Sequence, residues 1–288
     1  MNWRPRDSAA RRFSLRPGSP RDNPAAMTPE KPASDAPLPV RQVGWSRPLA
    51  WLALGWRDFT RSVLAGLVHG AFVAIGGWVV FLVSLRYGWV APGAFSGFVI
   101  LGPILVTGLY EISRLLSRGE RAGLAEAVTA WRRGTRPLVR LGVLLAVLGT
   151  LWVATSALLF ALFANAPLRG PVEFFRYAAV EQGDLLFTLW AILGGLGVAV
   201  VFSLTAVSPP LLLGREVGFR QALLTSARAV GENPGPMTLW ALIILVGTSL
   251  SLASGMLGFL ISVPVLGHAS WHAYRDLVVT DGVPLRNS

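Results

Sequence analysis

Long apolar segments alternate with short polar ones along most of the chain. A helix needs about 20 mainly apolar residues to cross the hydrocarbon core of a bilayer. Six segments meet this requirement, which predicts an all-α polytopic membrane protein with six transmembrane helices. The predicted spans are residues 62–85, 89–112, 138–164, 185–211, 237–254 and 256–278. Small residues at 251–255 separate the last two spans and are typical of a tight turn.

A hexapeptide at residues 56–61, WRDFTR, returns 75 residues later as WRRGTR at 131–136. A weaker third copy is GFRQAL at 218–223, which corresponds to GLAEAV at 123–128. Each copy has apolar residues at helical spacing and precedes a predicted span, so it predicts an amphipathic helix at the cytoplasmic interface. The predicted interfacial anchors are Trp56, Arg57, Arg61, Trp131, Arg132 and Arg136.

The repeated segment predicts that the six spans form three hairpins, each preceded by one interfacial helix. The three internal copies cover about residues 47–112, 121–213 and 216–279. In the first copy the apolar stripe consists of Leu49, Leu52, Trp56 and Phe59. Tryptophan suits the interface because its ring is apolar while its N–H group stays hydrated, and arginine meets anionic headgroups. An alternative interpretation is that the arginines only fix the orientation of the hairpins.

The formal net charge of +11 comes from short segments between the apolar ones. Of the 26 Lys and Arg residues, 23 lie in the N-terminal segment, in alternate connections and at the C-terminus. The other three are Arg86, Arg169 and Arg176, in the opposite connections. This asymmetry predicts that both termini are cytoplasmic. It argues against nucleic-acid binding and favours anionic membrane lipids as partners, while a membrane protein partner is left open.

The N-terminal segment differs from the rest of the chain. Residues 1–44 contain eight prolines, many arginines and no apolar periodicity, which predicts a disordered cytoplasmic tail. The six-span helical membrane domain is predicted at residues 45–280. A short C-terminal tail follows at residues 281–288.

Prolines recur late in the second span of each predicted hairpin. Because proline removes a backbone donor and clashes with the preceding turn, these spans are expected to kink or break. Such breaks bind substrates or ions in transporters, but they also occur as simple packing kinks. The glycine-rich segment GGLG at residues 194–197 is expected to be a close helix-packing surface. The candidate helix breaks are Pro103, Pro209, Pro210 and Pro264.

Polar residues within the predicted spans are the main candidates for chemistry, since they are costly to place in lipid. The candidate cluster consists of His69, Tyr110, Glu111, His268 and His272. One interpretation is a cavity lined by His69, Glu111 and His268 that carries protons or holds a small ligand. The other is that these side chains form hydrogen bonds between helices or reach interfacial water. His268 and His272 share a helix face, but the sequence places no carboxylate or cysteine ligand beside them, so no metal site is predicted.

The remaining chemistry of the sequence is sparse. The chain contains no cysteine, which excludes disulfides, iron–sulfur clusters and thiolate catalysis. No phosphate-binding glycine loop and no nucleophile motif occurs in the sequence. We therefore expect no cofactor and no enzymatic activity.

Three segments resemble a family of predicted bacterial integral membrane proteins, the domain of unknown function 2189. They are LALGWRDF at 52–59, GPILVTG at 102–108 and HAYRDL at 272–277. The resemblance covers about residues 45–280 and implies a bacterial inner-membrane location without an established activity. Some relatives carry a cytochrome c oxidase label. Haem–copper catalysis needs histidines on several helices, whereas this chain has three histidines and two lie on one predicted span.

Two function hypotheses follow from these features. The first is a non-enzymatic integral membrane protein that acts through lipids or membrane partners as a scaffold, assembly factor or envelope-maintenance factor. It is favoured by the arginine-rich interfacial helices and the small number of charges within the spans. The second is a small transporter or channel that uses kinked helices and the His69, Glu111 and His268 cavity.

Overall fold

The protein is all-α in the parts of the chain that the computed structural model describes, residues 35–87, 105–132, 136–163 and 185–286. Within these ranges only isolated β-bridges occur beside the helices. The all-α prediction is therefore confirmed. In chain order the helices are α1 (Arg47–Arg61), α2 (Val63–Arg86), α3 (Thr107–Leu116), α4 (Leu124–Arg132), α5 (Arg136–Phe163), α6 (Leu185–Thr205), α7 (Ser208–Gly214), α8 (Phe219–Glu232), α9 (Pro234–Ala253) and α10 (Phe259–Leu277).

Four segments of the described chain are long and apolar enough to cross a membrane. They are α2, α5, the α6–α7 pair and α9, which correspond to the first, third, fourth and fifth predicted spans. Most of the second predicted span, at 89–112, lies outside the described residues. The sixth corresponds to α10, which is helical but is not one of the four. Its C-terminal half carries His268, His272, Arg275 and Asp276.

A short helix precedes a long apolar one in three places. The pairs are α1 with α2, α4 with α5, and α8 with α9. Ser62 separates the first pair, residues 133–135 lie outside the description in the second, and Asn233 separates the third. These positions are those of the three hexapeptide-related segments.

Helix α1 packs lengthwise against the C-terminal half of α10. The Arg47 guanidinium donates two hydrogen bonds to the Asp276 carboxylate, at 2.7 and 2.9 Å, and the Trp51 indole N–H donates a third at 2.8 Å. The Trp51 ring is fully buried and meets Trp240 of α9 edge-on at 5.8 Å. The predicted apolar stripe of α1 is divided between two environments: Phe59 is buried, whereas Leu49 and Trp56 are exposed. Trp51, which is not part of the predicted stripe, faces the core.

Two glycines allow α10 to approach the first two helices closely. A Cβ atom added at Gly55 of α1 would lie 2.5 Å from the Val265 carbonyl oxygen of α10. One added at Gly70 of α2 would lie 2.5 Å from the Phe259 carbonyl oxygen. Backbones this close leave no room for a side chain, so glycine is required at both crossings.

The expected helix breaks have different outcomes. Between α6 and α7 the helix is interrupted at Ala206 and Val207, and Pro209 and Pro210 occupy the first turn of α7. Proline is favoured there because the N–H groups of the first turn have no acceptor within the helix, so the missing N–H group of proline costs no hydrogen bond. Pro264 lies inside α10, which continues past it. Pro103 lies outside the described residues.

Helices α5 and α6 pair through aromatic side chains. The Trp152 and Trp190 rings are 5.7 Å apart, and the Trp190 indole N–H donates to the Ser156 hydroxyl. The packing surface expected at 194–197 is seen, among the described residues, at one of its three glycines. Gly194 faces Trp152, whereas no described atom lies within 4 Å of a Cβ added at Gly195 or Gly197.

Residues 35–44 are bound to the helical core, so the predicted tail boundary at residue 44 needs correction. The Leu38 side chain is buried and its backbone N–H donates to the Thr225 hydroxyl of α8 at 2.9 Å. Val40 pairs with Val278 beyond α10 in an isolated antiparallel bridge. Composition alone missed this because the segment is short and rich in proline, and its partners come from distant helices.

The C-terminal segment after Asp281 also returns to the core. Arg215, directly after α7, pairs with Leu285, and the Arg286 backbone N–H donates to the Gly214 carbonyl. The predicted short C-terminal tail at 281–288 is thus attached as far as Arg286.

We expect deletion of residues 1–34 to leave thermal stability unchanged, as the tail prediction requires. Deletion of residues 1–44 is expected to cost about 2 kcal/mol, because it removes the buried Leu38 and its hydrogen bonds. Thermal unfolding of both variants in lipid nanodiscs measures the difference. Equal melting temperatures for the two variants would contradict the structural role of residues 35–44.

Candidate functional site

Four polar side chains, three of them buried and one mostly buried, meet where α1, α3 and α10 come together. Asp58 comes from α1, Ser113 from α3, and His268 and His272 from successive turns of α10. Asp58 is 2% exposed, and Ser113 and His268 are fully buried. We call these four residues the polar cluster.

The polar cluster is one continuous chain of hydrogen bonds. The His272 Nε2–H donates to Asp58 Oδ2 at 2.7 Å, and the Ser113 hydroxyl donates to the same oxygen at 2.9 Å. His268 Nδ1 lies 2.7 Å from the Ser113 oxygen. Because the serine proton is directed at Asp58, this arrangement assigns a proton to His268 Nδ1, which donates to Ser113. The resulting order is His272, Asp58, Ser113 and His268.

The environment of Asp58 favours its ionised form. Burial opposes ionisation, but the hydrogen bonds from His272 and Ser113 outweigh it and hold the pKa of the Asp58 carboxyl below its usual value. The Arg57 guanidinium, 3.9 Å from Asp58 Oδ1, is a more distant positive group. A buried carboxylate that accepts hydrogen bonds from two other helices holds the three helices together. The imidazoles in the same hydrogen-bond chain can accept or release a proton.

The polar cluster joins two of the segments that carry the family resemblance. Asp58 belongs to LALGWRDF at 52–59, and His272 belongs to HAYRDL at 272–277. Asp276 in the second segment also accepts the hydrogen bonds from Arg47 and Trp51. Segments more than 200 residues apart are therefore in direct contact through the Asp58–His272 pair.

Residues 90–214 match the model of a family described as predicted integral membrane protein, domain of unknown function 2189. The resemblance to this family is confirmed over residues 90–214, which contain GPILVTG; the other two segments that suggested it lie outside the match. The match contains Ser113 and helices α3 to α7, while Asp58, His268 and His272 lie outside it. No curated protein and no solved structure matches the chain. The family description assigns this chain to the integral membrane proteins and supplies no activity.

Not all of the predicted candidates for chemistry enter the polar cluster. His268 and His272 are members, whereas Glu111 pairs with Arg114 on its own helix through hydrogen bonds of 2.5 and 2.7 Å. His69 is buried and its Nδ1–H donates to the Ala65 carbonyl at 2.8 Å. Tyr110 is buried on α3. The carboxylate of Glu111 is thus committed to Arg114, and the carboxylate beside the histidines is Asp58.

His69 lies against the backbone of α3. A Cβ added at Gly108 would be 2.6 Å from His69 Nε2. This contact brings α2 to the same region of α3 that supplies Ser113. His69 therefore packs close to the polar cluster while its Nδ1 bonds to its own helix.

Asp58 and Ser113 were missed as candidates, and only Asp58 had a signal in the sequence. It lies inside the repeated hexapeptide at the position where the second copy has Arg133. A difference in charge between two otherwise similar copies indicates that the first copy uses this position differently. Ser113 resembles any polar residue near a helix end, so nothing in the sequence singles it out.

Within the described parts of the chain, no three His, Asp or Glu side chains are grouped so that they could hold a metal ion. In the polar cluster, Asp58 and Ser113 lie between the two histidines in the hydrogen-bond chain. The donors on both imidazoles are directed at neighbouring oxygens. The geometry is that of a hydrogen-bond network.

The predicted interfacial anchors are exposed wherever the structure describes their side chains. Trp56 is 51% exposed and contacts Phe59 with its ring centroid at 5.7 Å. Arg57, Arg61 and Arg136 are exposed as well. The side chains of Trp131 and Arg132 lie outside the described set.

Proposed function

We propose that this integral membrane protein is a non-enzymatic scaffold or assembly factor that binds anionic lipids and a membrane partner. The observation that carries the proposal is the use of its buried polar groups. Asp58, Ser113 and the two histidines of α10 bond to one another and join three helices. Glu111 is neutralised by Arg114. The exposed basic side chains of α1 include Arg57 and Arg61.

The apolar surface of the spans supports the same proposal. Only 11% of the most apolar stretch of the α6–α7 segment and 17% of that of α5 are buried inside the chain. Lipid tails or the helices of a partner would cover these faces. The polar cluster therefore stabilises the fold inside the chain, whereas the apolar faces of α5 and of the α6–α7 segment are available to contact other molecules.

The proposed topology has six spans in the bacterial inner membrane, with both termini in the cytoplasm. Helices α1, α4 and α8 precede the three hairpins at the cytoplasmic face, where their arginines meet anionic headgroups. Helix α10 completes the third hairpin. The bias of arginine toward alternate connections supports this orientation.

We expect reporter fusions after Tyr177 and Gly255 to report the periplasm, because each follows an odd number of proposed spans. Fusions after Arg121, Arg228 and Asp281 are expected to report the cytoplasm. Paired alkaline phosphatase and fluorescent protein fusions measure both sides. A cytoplasmic signal after Tyr177 would contradict the six-span topology, and one after Gly255 would contradict the third hairpin.

Affinity purification from crosslinked membranes, followed by mass spectrometry, tests the proposed role. A membrane protein that co-purifies reproducibly is the expected result. The matched control is a membrane protein of similar size carrying the same tag. If no specific partner co-purifies while the protein catalyses solute flux in vesicles, the scaffold proposal is wrong.

A proton-coupled transporter is a second candidate, and the order of the polar cluster favours it. His272, Asp58, Ser113 and His268 form an unbroken chain along which a proton could pass. Proteoliposomes with a pH-sensitive dye inside test this candidate. Proton flux that is lost in Asp58→Asn but kept in Arg57→Gln would favour transport. Absence of flux in the unmodified protein would exclude proton transport by this chain.

A further inference from the structure

Helices α1, α9 and α10 enclose an open apolar cleft of about 1010 Å³. Leucine, isoleucine and valine side chains of α9 and α10 form two of its walls, and α1 forms part of a third. Exposed members include Leu242 and Val246 on α9 and Ile261 on α10. This cleft lies beside the polar cluster and shares none of its residues.

The α9 and α10 helices are in close contact near the turn that joins them. There a Cβ added at Gly258 would lie 2.7 Å from Ser251 Cα, and the Ser251 and Ser262 hydroxyls are 2.7 Å apart. Toward the other end, Trp240 of α9 turns onto Trp51 of α1. Between these two contacts, Gly247 of α9 lies against the Leu266 side chain of α10, where a Cβ added at Gly247 would be 3.3 Å from Leu266 Cδ1. Leu242, Val246 and Ile261 beside this contact remain exposed and line the cleft.

The shape of the cleft favours a narrow, flexible occupant. Its walls along α9 and α10 are apolar, and α9 and α10 come together at the Gly258 turn at one end. A flexible acyl chain is narrow enough to lie between α9 and α10. The apolar walls would bury most of the surface of such an acyl chain, as the walls of small-molecule pockets do for their ligands.

Charge beside the cleft indicates the headgroup. Trp56 lines the cleft, and Arg57, the next residue of α1, is half-exposed beside it. Arg61 follows one turn later and is exposed as well. A guanidinium forms bidentate hydrogen bonds with phosphate, and tryptophan prefers the depth of lipid headgroups.

We propose that this cleft binds one acyl chain of an anionic phospholipid whose phosphate meets Arg57. The site deepens the proposed function, on which it rests, by naming the lipid and its position. The lipid fills the space between α9 and α10 and so completes the packing of the third hairpin. Phosphatidylglycerol, which has an anionic headgroup and two acyl chains, is the probe.

Titration of the purified full-length protein with phosphatidylglycerol, followed by native mass spectrometry, measures the site. Val246→Trp fills the cleft from α9 and is expected to weaken binding about 15-fold, because it displaces about two methylenes of the acyl chain and each contributes about a fourfold factor in affinity. Ile261→Trp fills it from α10 and should act alike. Leu245→Trp, on an exposed position outside the cleft, is the matched control and should bind as the unmodified protein does.

The headgroup is tested separately. Arg57→Gln is expected to remove the preference for phosphatidylglycerol over phosphatidylcholine and to leave binding of phosphatidylcholine unchanged. Thermal unfolding of every variant without added lipid establishes that it is folded.

Unchanged phosphatidylglycerol affinity in both folded cleft variants would overturn the site. An equal preference in Arg57→Gln and the unmodified protein would overturn the role of Arg57. Two results distinguish this site from the scaffold proposal. If the unmodified protein shows no preference for anionic lipid, anionic-lipid binding is wrong in both proposals. If the unmodified protein prefers anionic lipid and the cleft variants bind phosphatidylglycerol as tightly as Leu245→Trp, the lipid is bound elsewhere on the protein.

Discussion

Replacing Asp58 with alanine is expected to destabilise the protein by about 3 kcal/mol, because each buried donor left without an acceptor costs about 1–3 kcal/mol. The carboxylate accepts hydrogen bonds from His272 and Ser113 while it is almost fully buried. Alanine leaves both donors without their acceptor and removes the contact between α1, α3 and α10. Thermal unfolding of the purified variant in lipid nanodiscs measures the loss.

Asp35→Ala is the matched control for this change. Asp35 also accepts a hydrogen bond from a basic side chain, Arg220, but both partners are more than half exposed. Exposed ion pairs contribute about 1 kcal/mol or less, so this variant should be nearly as stable as the unmodified protein. If Asp58→Ala and Asp35→Ala unfold at the same temperature, the polar cluster does not hold the three helices together.

The pH dependence of this contribution follows from the lowered pKa of Asp58. A carboxyl whose pKa is lower in the folded state stabilises the protein fully above its unfolded pKa, which is about 4. The stabilisation is lost as the pH falls below that value and through the folded pKa. Stability from Asp58 should therefore be complete at neutral pH, where the unfolding experiment is done.

The membrane class of this protein could be predicted from the sequence because the signal is local. Twenty apolar residues in succession predict a span whatever the rest of the chain does. Helices α2, α5 and α9 accordingly fall close to their predicted limits. Helix α10 is harder to predict as a span, because His268 and His272 bond to Ser113 and Asp58 through contacts that no single segment encodes.

The polar cluster could be predicted only in part, for the same reason. His268 and His272 stand out because histidine is rare in an apolar segment. Asp58 lies among arginines in a segment that predicts an interface, where a carboxylate is unremarkable. Its burial depends on the way α1 turns toward α10, which the Arg47 and Trp51 contacts with Asp276 fix.

The orientation of α1 shows what an apolar pattern leaves out. Within the predicted stripe, Phe59 is buried while Leu49 and Trp56 are exposed. Gly55 and Asp58, which no apolar pattern marks, are buried as well. Glycine permits the closest approach of two helices, and the carboxylate finds its donors only on that side. Hydrophobic periodicity does not predict the burial of Gly55 or of Asp58. The face left outward lines the apolar cleft with Leu49 and Trp56.

Replacing Gly55 with alanine is expected to cost about 2–3 kcal/mol, as overpacking in a close-packed core typically does. The added Cβ would lie 2.5 Å from the Val265 carbonyl oxygen and 2.7 Å from the Ala269 nitrogen. Both are backbone atoms of α10, so neither can move aside as a flexible side chain would. Gly70→Ala should cost a similar amount, since its Cβ would lie 2.5 Å from the Phe259 carbonyl oxygen and 2.6 Å from Leu260 Cα.

Gly195→Ala is the matched control for these two changes, since it is also a glycine inside a helix. No described atom lies within 4 Å of a Cβ added there, and alanine is favoured over glycine in a helix by about 1 kcal/mol. This variant should therefore be as stable as the unmodified protein or slightly more so in nanodiscs. If Gly55→Ala and Gly70→Ala also gain stability, α10 is not held against α1 and α2 by backbone contact. The polar cluster would then have to align these helices by itself, and Asp58→Ala would show a correspondingly larger loss.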